Sequence, residues 1–326
     1  MFVKIYKTGY ISHALSIIII AIVIWLPAFF AQQTGIADSS ATSLILFINA
    51  FLEGSYFASI IISLIVVIVA GLVINNLIST NEISSKTSML GFFFFVLVNA
   101  SISSNIFVNQ FLLASFFILM MVNTLFKIPK VEDTIPITFN ASFFLGLASL
   151  FYAPSILLIF IIWVALMIFS VSTWRDYVVT LIGVLLPLFF TFFWYYFINK
   201  QELFYAIFID AFQFDFSIVP ISNIDLTIAI LLLGFVLFSV LKLSGSLMER
   251  SIVLRQKLSI TIWLLVFSFL IIFLFHKHPA NGILLSVPVT IILTNVLAGV
   301  SKLKWYDLYI SLVLILILVN HYLLLF

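Results

Sequence analysis

The chain is written in apolar blocks about as long as a bilayer is thick, and its few charges fall in the short breaks between them. A helix needs roughly 20 apolar residues to cross about 30 Å of hydrocarbon while satisfying its own backbone hydrogen bonds. The blocks lie at 11–31, 54–77, 88–102, 106–126, 139–153, 154–172, 177–198, 225–243, 258–275, 283–300 and 308–326. They predict an all-α fold, a polytopic transmembrane helix bundle of about 11 spans, or about nine if the short segments at 88–102 and 139–153 are half-helices. With 64% apolar and 8% charged residues, residues 1–326 read as a single transmembrane domain.

Charge placement tests this pattern without using hydropathy. With the N-terminus inside, Lys4, Lys7, Lys86, Lys127, Lys130, Arg175, Lys242, Arg250, Arg255, Lys257, Lys302 and Lys304 fall on the inner side, and only Lys200 and Lys277 fall outside. That asymmetry predicts a bacterial inner-membrane protein with a cytoplasmic N-terminus and a periplasmic C-terminus. A wrong span count before residue 242 would invert the later loops and spoil it. The acidic residues show no such bias. The N-terminal stretch MFVKIYKTGYISHALSIIIIAIVIWLPAFFAQQ has the basic flank and apolar core of a signal sequence. Its core is long and no small-x-small cleavage site follows, so it reads as a retained first helix. The net charge of +2, with no basic run, argues against a nucleic-acid partner. The absence of cysteine excludes disulfides, iron–sulfur clusters and a thiol nucleophile.

Two outward regions are longer than a turn. In 31–54 a polar start precedes an apolar segment too short to span, which reads as an interfacial or re-entrant helix. In 199–222, Glu202, Ala206, Asp210 and Gln213 recur at helical spacing, so residues 201–213 should form an interfacial helix whose other face carries Phe204, Phe208 and Phe212. Its acids read most simply as a solvated face. Trp194, Tyr195 and Tyr196 suit an outer aromatic belt, and the FFFF run at 92–95 reads as lipid-facing bulk rather than a cofactor box.

No P-loop, GxGxxG, GxSxG or HExxH motif is present, so nucleotide hydrolysis, hydride transfer and zinc proteolysis lack sequence support. Chemistry must rest on carboxylates, histidines, lysines and amides at the outer face. The hairpin HKHPANG at 276–282 is the densest polar cluster beside two spans. His276, Lys277, His278 and Asn281 form a candidate phosphate or pyrophosphate site, since a cation and ring N–H donors stabilise leaving-group charge in a low-dielectric setting. The plainer reading is a snorkelling lysine in an ordinary turn. His-x-His supplies only two ligands, so no metal site is assigned and no cofactor is evident, although a divalent metal bound with substrate stays open. Asp38 and Glu53 bracket the first outward loop and are the candidate general bases. Glu53 adjoins an apolar run, where a carboxylate is costly unless paired or wet. A solvated headgroup-level glutamate is the alternative.

Other polar residues have structural readings. Ser222-Asn223-Ile224-Asp225 has capping-box spacing, which assigns Asp225 to the start of a span. Asn320-His321, Asn109-Gln110, Asn99 and Asn295 lie in apolar blocks. An intramembrane histidine or amide is a functional candidate, with hydrogen bonding between helices the commoner use.

The segments NASFFLGLASLFYAPSILLIFIIWVALMIF and TWRDYVVTLIGVLLPLFFTFFWYYF, with MFVKIYKTG through WLPAFF, resemble an uncharacterised family of polytopic inner-membrane proteins of Bacteroidota. GLASLFYAP is also similar to the middle helices of GT-C type glycosyltransferases. That resemblance implies sugar transfer from a polyprenyl-phosphate carrier, a membrane-lipid partner, at the periplasmic face, with an acidic residue of the first outward loop as base. Asp38 and Glu53 lie in the matching loop, and 199–222 follows the seventh span in a similar place. The adjacent acidic pair with a nearby tyrosine that many such enzymes carry after the first helix is not in this sequence. Three classes follow. An enzyme requires the first loop and HKHPANG to share a cavity. A lipid or solute transporter requires internal repeats and broken helices at mid-membrane; Pro154, Pro187 and Pro288 permit breaks, but no repeat is seen. A membrane subunit or assembly factor, with membrane-protein partners in an envelope complex, requires no cavity and an apolar, Phe-rich lateral face.

Overall fold

The computed structural model describes residues 5–7, 11–30, 55–84, 88–171, 173–213, 222–275, 278–300 and 304–323. Among them, twelve α-helices run in the order α1 (Ile11–Trp25), α2 (Tyr56–Thr80), α3 (Leu90–Asn99), α4 (Gln110–Leu125), α5 (Ile135–Phe151), α6 (Ile159–Ile168), α7 (Trp174–Phe197), α8 (Gln201–Ala211), α9 (Asn223–Ser246), α10 (Ile252–Leu274), α11 (Ser286–Ala298) and α12 (Lys304–Leu323). Short 3₁₀ turns extend several of them, at Leu26–Phe29, Ala153–Leu158 and Pro279–Leu285. Eight stretches are long and apolar enough to cross a membrane, and α3, α5 and the pair Ala153–Ile168 are shorter apolar helices. The protein is a multi-pass helical membrane protein.

Local signals set the helix ends. Ser55 caps α2 by accepting from the Ala58 amide, and the Asn109 side chain caps α4 by accepting from Leu112 N at 2.8 Å. That cap is the role of Asn109, which the sequence offered as an interhelical partner. Pro136 opens α5 at a position where a missing N–H costs nothing. This start lies before residue 139, and at about 1.5 Å per residue the 17 residues of α5 reach about 25 Å. α5 still falls among the shorter apolar helices, so the half-helix option for 139–153 stands.

Long-range hydrogen bonds sort the chain into two ends. At one, Lys7 Nζ donates to Val300 O at 2.8 Å, Lys130 Nζ to Thr80 O at 3.3 Å, Lys257 Nζ to Asn81 Oδ1 at 2.7 Å and Gln256 Nε2 to Ile168 O at 2.7 Å. This is the basic end. At the opposite end, Tyr56 Oη donates to Ala28 O at 2.8 Å, Tyr152 Oη to Phe275 O at 3.4 Å, and Asn320 Nδ2 to Asp225 Oδ1 at 2.7 Å.

The core forms around α3 and α11. Every residue of α3 is buried, as is every residue of α11 from Ser286 to Leu297. The four phenylalanines at 92–95 therefore face protein and not lipid, which corrects the sequence reading. Phe92 lies against Gly71 of α2, where a Cβ would come within 2.4 Å of its ring, so α2 accepts this aromatic helix only because a side chain is missing there. α5 and α7 pack through small residues in the same way: a Cβ on Gly183 would meet Ser142 Oγ at 2.0 Å, and one on Gly146 would meet Val184 O at 2.7 Å.

α8 is the short helix expected at 201–213. Glu202 and Asp210 are exposed, while Phe204 turns back onto Phe192 of α7 and Phe208. Trp194 and Tyr196, at the same end of α7, are also exposed.

Candidate functional site

α3 has only ten residues and reaches about 15 Å, half a bilayer. Its entry is level with Asn75 of α2, whose Oδ1 accepts from Phe92 N at 3.3 Å, and its continuation arrives level with Ser59 of α2, whose Oγ accepts from Val108 N at 3.1 Å. Sixteen residues of α2 separate Asn75 from Ser59, roughly 24 Å of rise. The second half of this crossing is made by non-α-helical chain at 100–109. The local sequence Ser101-Ile102-Ser103-Ser104-Asn105 explains the loss of helix: serine hydroxyls compete for backbone carbonyls, as Ser101 Oγ does at Val98 O, 2.7 Å away.

Broken backbone inside a membrane is tolerated only where protein satisfies it, and four helices do so here. Trp25 Nε1 of α1 donates to Ile106 O at 3.2 Å, and Ser63 Oγ of α2 donates to the same carbonyl. Asp225 of α9 accepts from Ser103 N at 3.2 Å and from Ser103 Oγ at 2.8 Å. His321 Nε2 of α12 lies 2.8 Å from Ala100 O, and Asn320 beside it donates to Asp225. The result is a buried carboxylate with three hydrogen-bond donors, next to a buried imidazole, at a helix break.

The capping-box spacing holds for its serine and for the first-turn place of Asp225, but not as the whole role of the carboxylate. The cap is Ser222, which accepts from Ile224 N at 3.4 Å, and the Asp225 carboxylate reaches across to α12 and the 100–109 segment. The signal that could have found it was present: an acid opening one apolar block and an Asn-His pair closing another. What the sequence lacked was the partner, Ser103. For Asn320 the expected interhelical bonding holds, whereas His321 and Asn295 bond chain just beyond helix ends, His321 at Ala100 O and Asn295 Nδ2 donating to Ile83 O at 2.8 Å. Asn99 Nδ2 instead donates to Phe95 O within its own helix.

Of the residues singled out for chemistry, Asp38, Glu53, His276 and Lys277 lie outside the described residues, as does the segment 31–54. His278 Nδ1 accepts from Ala280 N at 3.1 Å, and its ring stacks on Phe111 with centroids 5.8 Å apart. Asn281 is wholly buried and its Nδ2 donates to Phe275 O at 2.9 Å, so its amide nitrogen closes the hairpin.

The described flanks of 31–54 and of the 276–282 hairpin meet the same stretch of chain. Tyr56, just after 31–54, packs on Phe107 at 5.1 Å and bonds Ala28, just before it. Gly282 of the hairpin sits where a Cβ would be 2.8 Å from Ile102, and His278 lies on Phe111. Residues 102–111 thus meet the described flank of the first segment, Tyr56, as well as His278 and Gly282 of the hairpin. Among the described residues, no three of His, Asp and Glu gather as metal ligands.

Two further polar clusters lie at the basic end. Asp176, fully buried in the first turn of α7, accepts from Thr134 Oγ1 at 2.8 Å, Thr138 Oγ1 at 3.1 Å and Thr173 Oγ1. Buried Lys257 combines its bond to Asn81 with the Phe126 ring, 5.9 Å from Nζ. Both fasten helices to each other.

A family model described as "Family of unknown function (DUF6427)" matches residues 40–325. The chain belongs to that family. Comparison with curated proteins and with solved structures gives no match. For this family member the functional argument rests on geometry.

Proposed function

We propose that the protein is a GT-C-like glycosyltransferase, a single transmembrane domain over residues 1–326 in a bacterial inner membrane, acting on a polyprenyl-phosphate-linked sugar at the periplasmic face. What supports this reading is that the described flanks of both segments pack on residues 102–111, with His278 on Phe111, Gly282 against Ile102 and Tyr56 on Phe107. A transferase of this class needs a base and a stabiliser of the departing phosphate on either side of the reacting carbon. Here Asp38 or Glu53 takes the proton of the acceptor hydroxyl as its oxygen bonds to the sugar carbon. Lys277, with His276 or His278, receives the charge on the phosphate oxygen whose bond to that carbon breaks. Asn281 holds the hairpin that presents them.

The test is sugar transfer in membranes carrying Asp38→Asn, Glu53→Gln and Lys277→Ala. A base contributes about 100- to 10,000-fold, and a charged donor to the leaving group a similar factor. Loss of that size in Lys277→Ala and in one carboxylate variant, at unchanged membrane abundance, is the expected result. Full activity in all three would favour a non-catalytic subunit of an envelope complex.

A second reading, a lipid or solute transporter, draws on the break after α3, because transporters place interrupted helices at their binding sites. It predicts flux into proteoliposomes without any transfer product.

A further inference from the structure

The histidine at the helix break is bonded on one side only. His321 is fully buried, and its Nε2 faces the Ala100 carbonyl at 2.8 Å, which accepts and so requires the hydrogen on Nε2. Nδ1 is buried too, with no hydrogen-bond partner among the described residues. In the neutral ring this atom is a lone pair facing no donor, a costly arrangement in a protein interior. Close by, the Asp225 carboxyl group accepts from three donors, Ser103 N, Ser103 Oγ and Asn320 Nδ2, and no cation pairs with it among the described residues. A buried negative charge with hydrogen bonds but no counter-charge is also costly. One proton on Nδ1 would set a positive charge beside that carboxylate.

We propose that His321 and Asp225 form a proton-binding site at the break after α3, with Nδ1 of His321 as the atom that takes the proton and Asp225 as the counter-charge. The proton comes from water at the end of the bundle where the hairpin lies. It adds to the Nδ1 lone pair, no bond breaks, and the buried pair changes from net −1 to net zero. Other ionisable groups on the elements packed against the site are remote: His13 on α1, Lys242 on α9, and Lys304 and Asp307 on α12 all lie toward the basic end. His278, on the hairpin, is the ionisable neighbour at the same end. α2, α3, α4 and α11 carry no Asp, Glu, Lys, Arg or His.

The site has mechanical reach. His321 holds Ala100 and Asp225 holds Ser103, while Ile102 between them supports Gly282 of the hairpin. Proton occupancy is therefore felt by residues 102–111, on which Tyr56 and the described part of the hairpin pack. This makes the outward face proton-linked whether the protein transfers sugar or moves a solute, and the inference does not rest on either reading.

The first measurement is nitrogen NMR of the full chain, histidine-labelled, in lipid nanodiscs. There are four histidines, and His321→Gln identifies the buried one while keeping an amide donor for Ala100. A signal from His321 that gains a second N–H between about pH 8 and pH 5, and does so at lower pH in Asp225→Asn, is the expected result. A ring that keeps the Nε2–H tautomer throughout that range in the wild type would overturn the proposal, as would identical titration in Asp225→Asn. The second measurement places one cysteine at Ile102 in this cysteine-free chain and follows its thiol labelling with a pH-insensitive reagent. Its rate should change several-fold across the same pH range in the wild-type background and stay flat with His321→Gln. A flat rate in both backgrounds counts against the coupling of the site to residues 102–111. The wild-type spectrum decides proton binding even where a variant fails to fold.

Discussion

Asp176 illustrates how a single buried charge is made tolerable in this protein. It has no exposed surface, and three threonine hydroxyls from α5 and the N-cap of α7 surround its carboxylate. The start of α7 adds the positive end of a helix dipole, which favours an anion in the first turn. Hydrogen bonds to a charged group are stronger than neutral ones, and removing the acceptor strands its donors. Asp176→Ala should therefore lower the stability of the detergent-solubilised protein by about 3 kcal/mol. Thr134→Val should cost about 1 kcal/mol, since one donor of three is lost. Thermal unfolding monitored by circular dichroism reads both, and an Asp176→Ala transition indistinguishable from wild type would show that the cage carries no stability.

At the scale of elements, contact between α5 and α7 depends on glycine at the crossing. A Cβ at position 183 would overlap Ser142 Oγ at 2.0 Å and the Phe139 carbonyl at 2.9 Å, so the helices must separate to admit it. Gly183→Ala is expected to cost about 1–3 kcal/mol by overpacking. Gly234, with nothing within 4 Å of its added Cβ, is the internal control: Gly234→Ala should be neutral or stabilising by up to about 1 kcal/mol, because alanine is the better helix former. Equal effects at the two positions would mean that close approach does not matter. α8 makes a different test. Its exposed Glu202 and Asp210 suit headgroups and not hydrocarbon. Single cysteines at 202 and 210 should label readily with a membrane-impermeant reagent applied from outside, and protection of both would place α8 within the bilayer.

For the whole molecule, the bundle gathers Lys7, Lys130, Arg250, Arg255 and Lys257 toward one end, although they come from distant parts of the sequence. If the positive-inside rule holds, that end is cytoplasmic. Reporter fusions after residues 36, 130, 210, 252 and 280 should then read out, in, out, in and out, and a reversed signal at 252 would invert the C-terminal half. The sequence by itself determined the helical class, the approximate bounds of most apolar helices and the gathering of basic residues at one end; among the described residues eight stretches are long enough to cross, where about nine to eleven spans are expected. Segment length and charge are local quantities that a bilayer reads directly. Only the tertiary structure decided that the FFFF run of α3 is the centre and not the lipid face, because an apolar side chain has nearly the same environment in acyl chains as in protein. The same holds for Asp225, whose capping-box spacing is a local pattern but whose partners are 122 and 95 residues away in sequence. A polar group in a membrane must find a donor somewhere, and which donor it finds depends on how the helices pack.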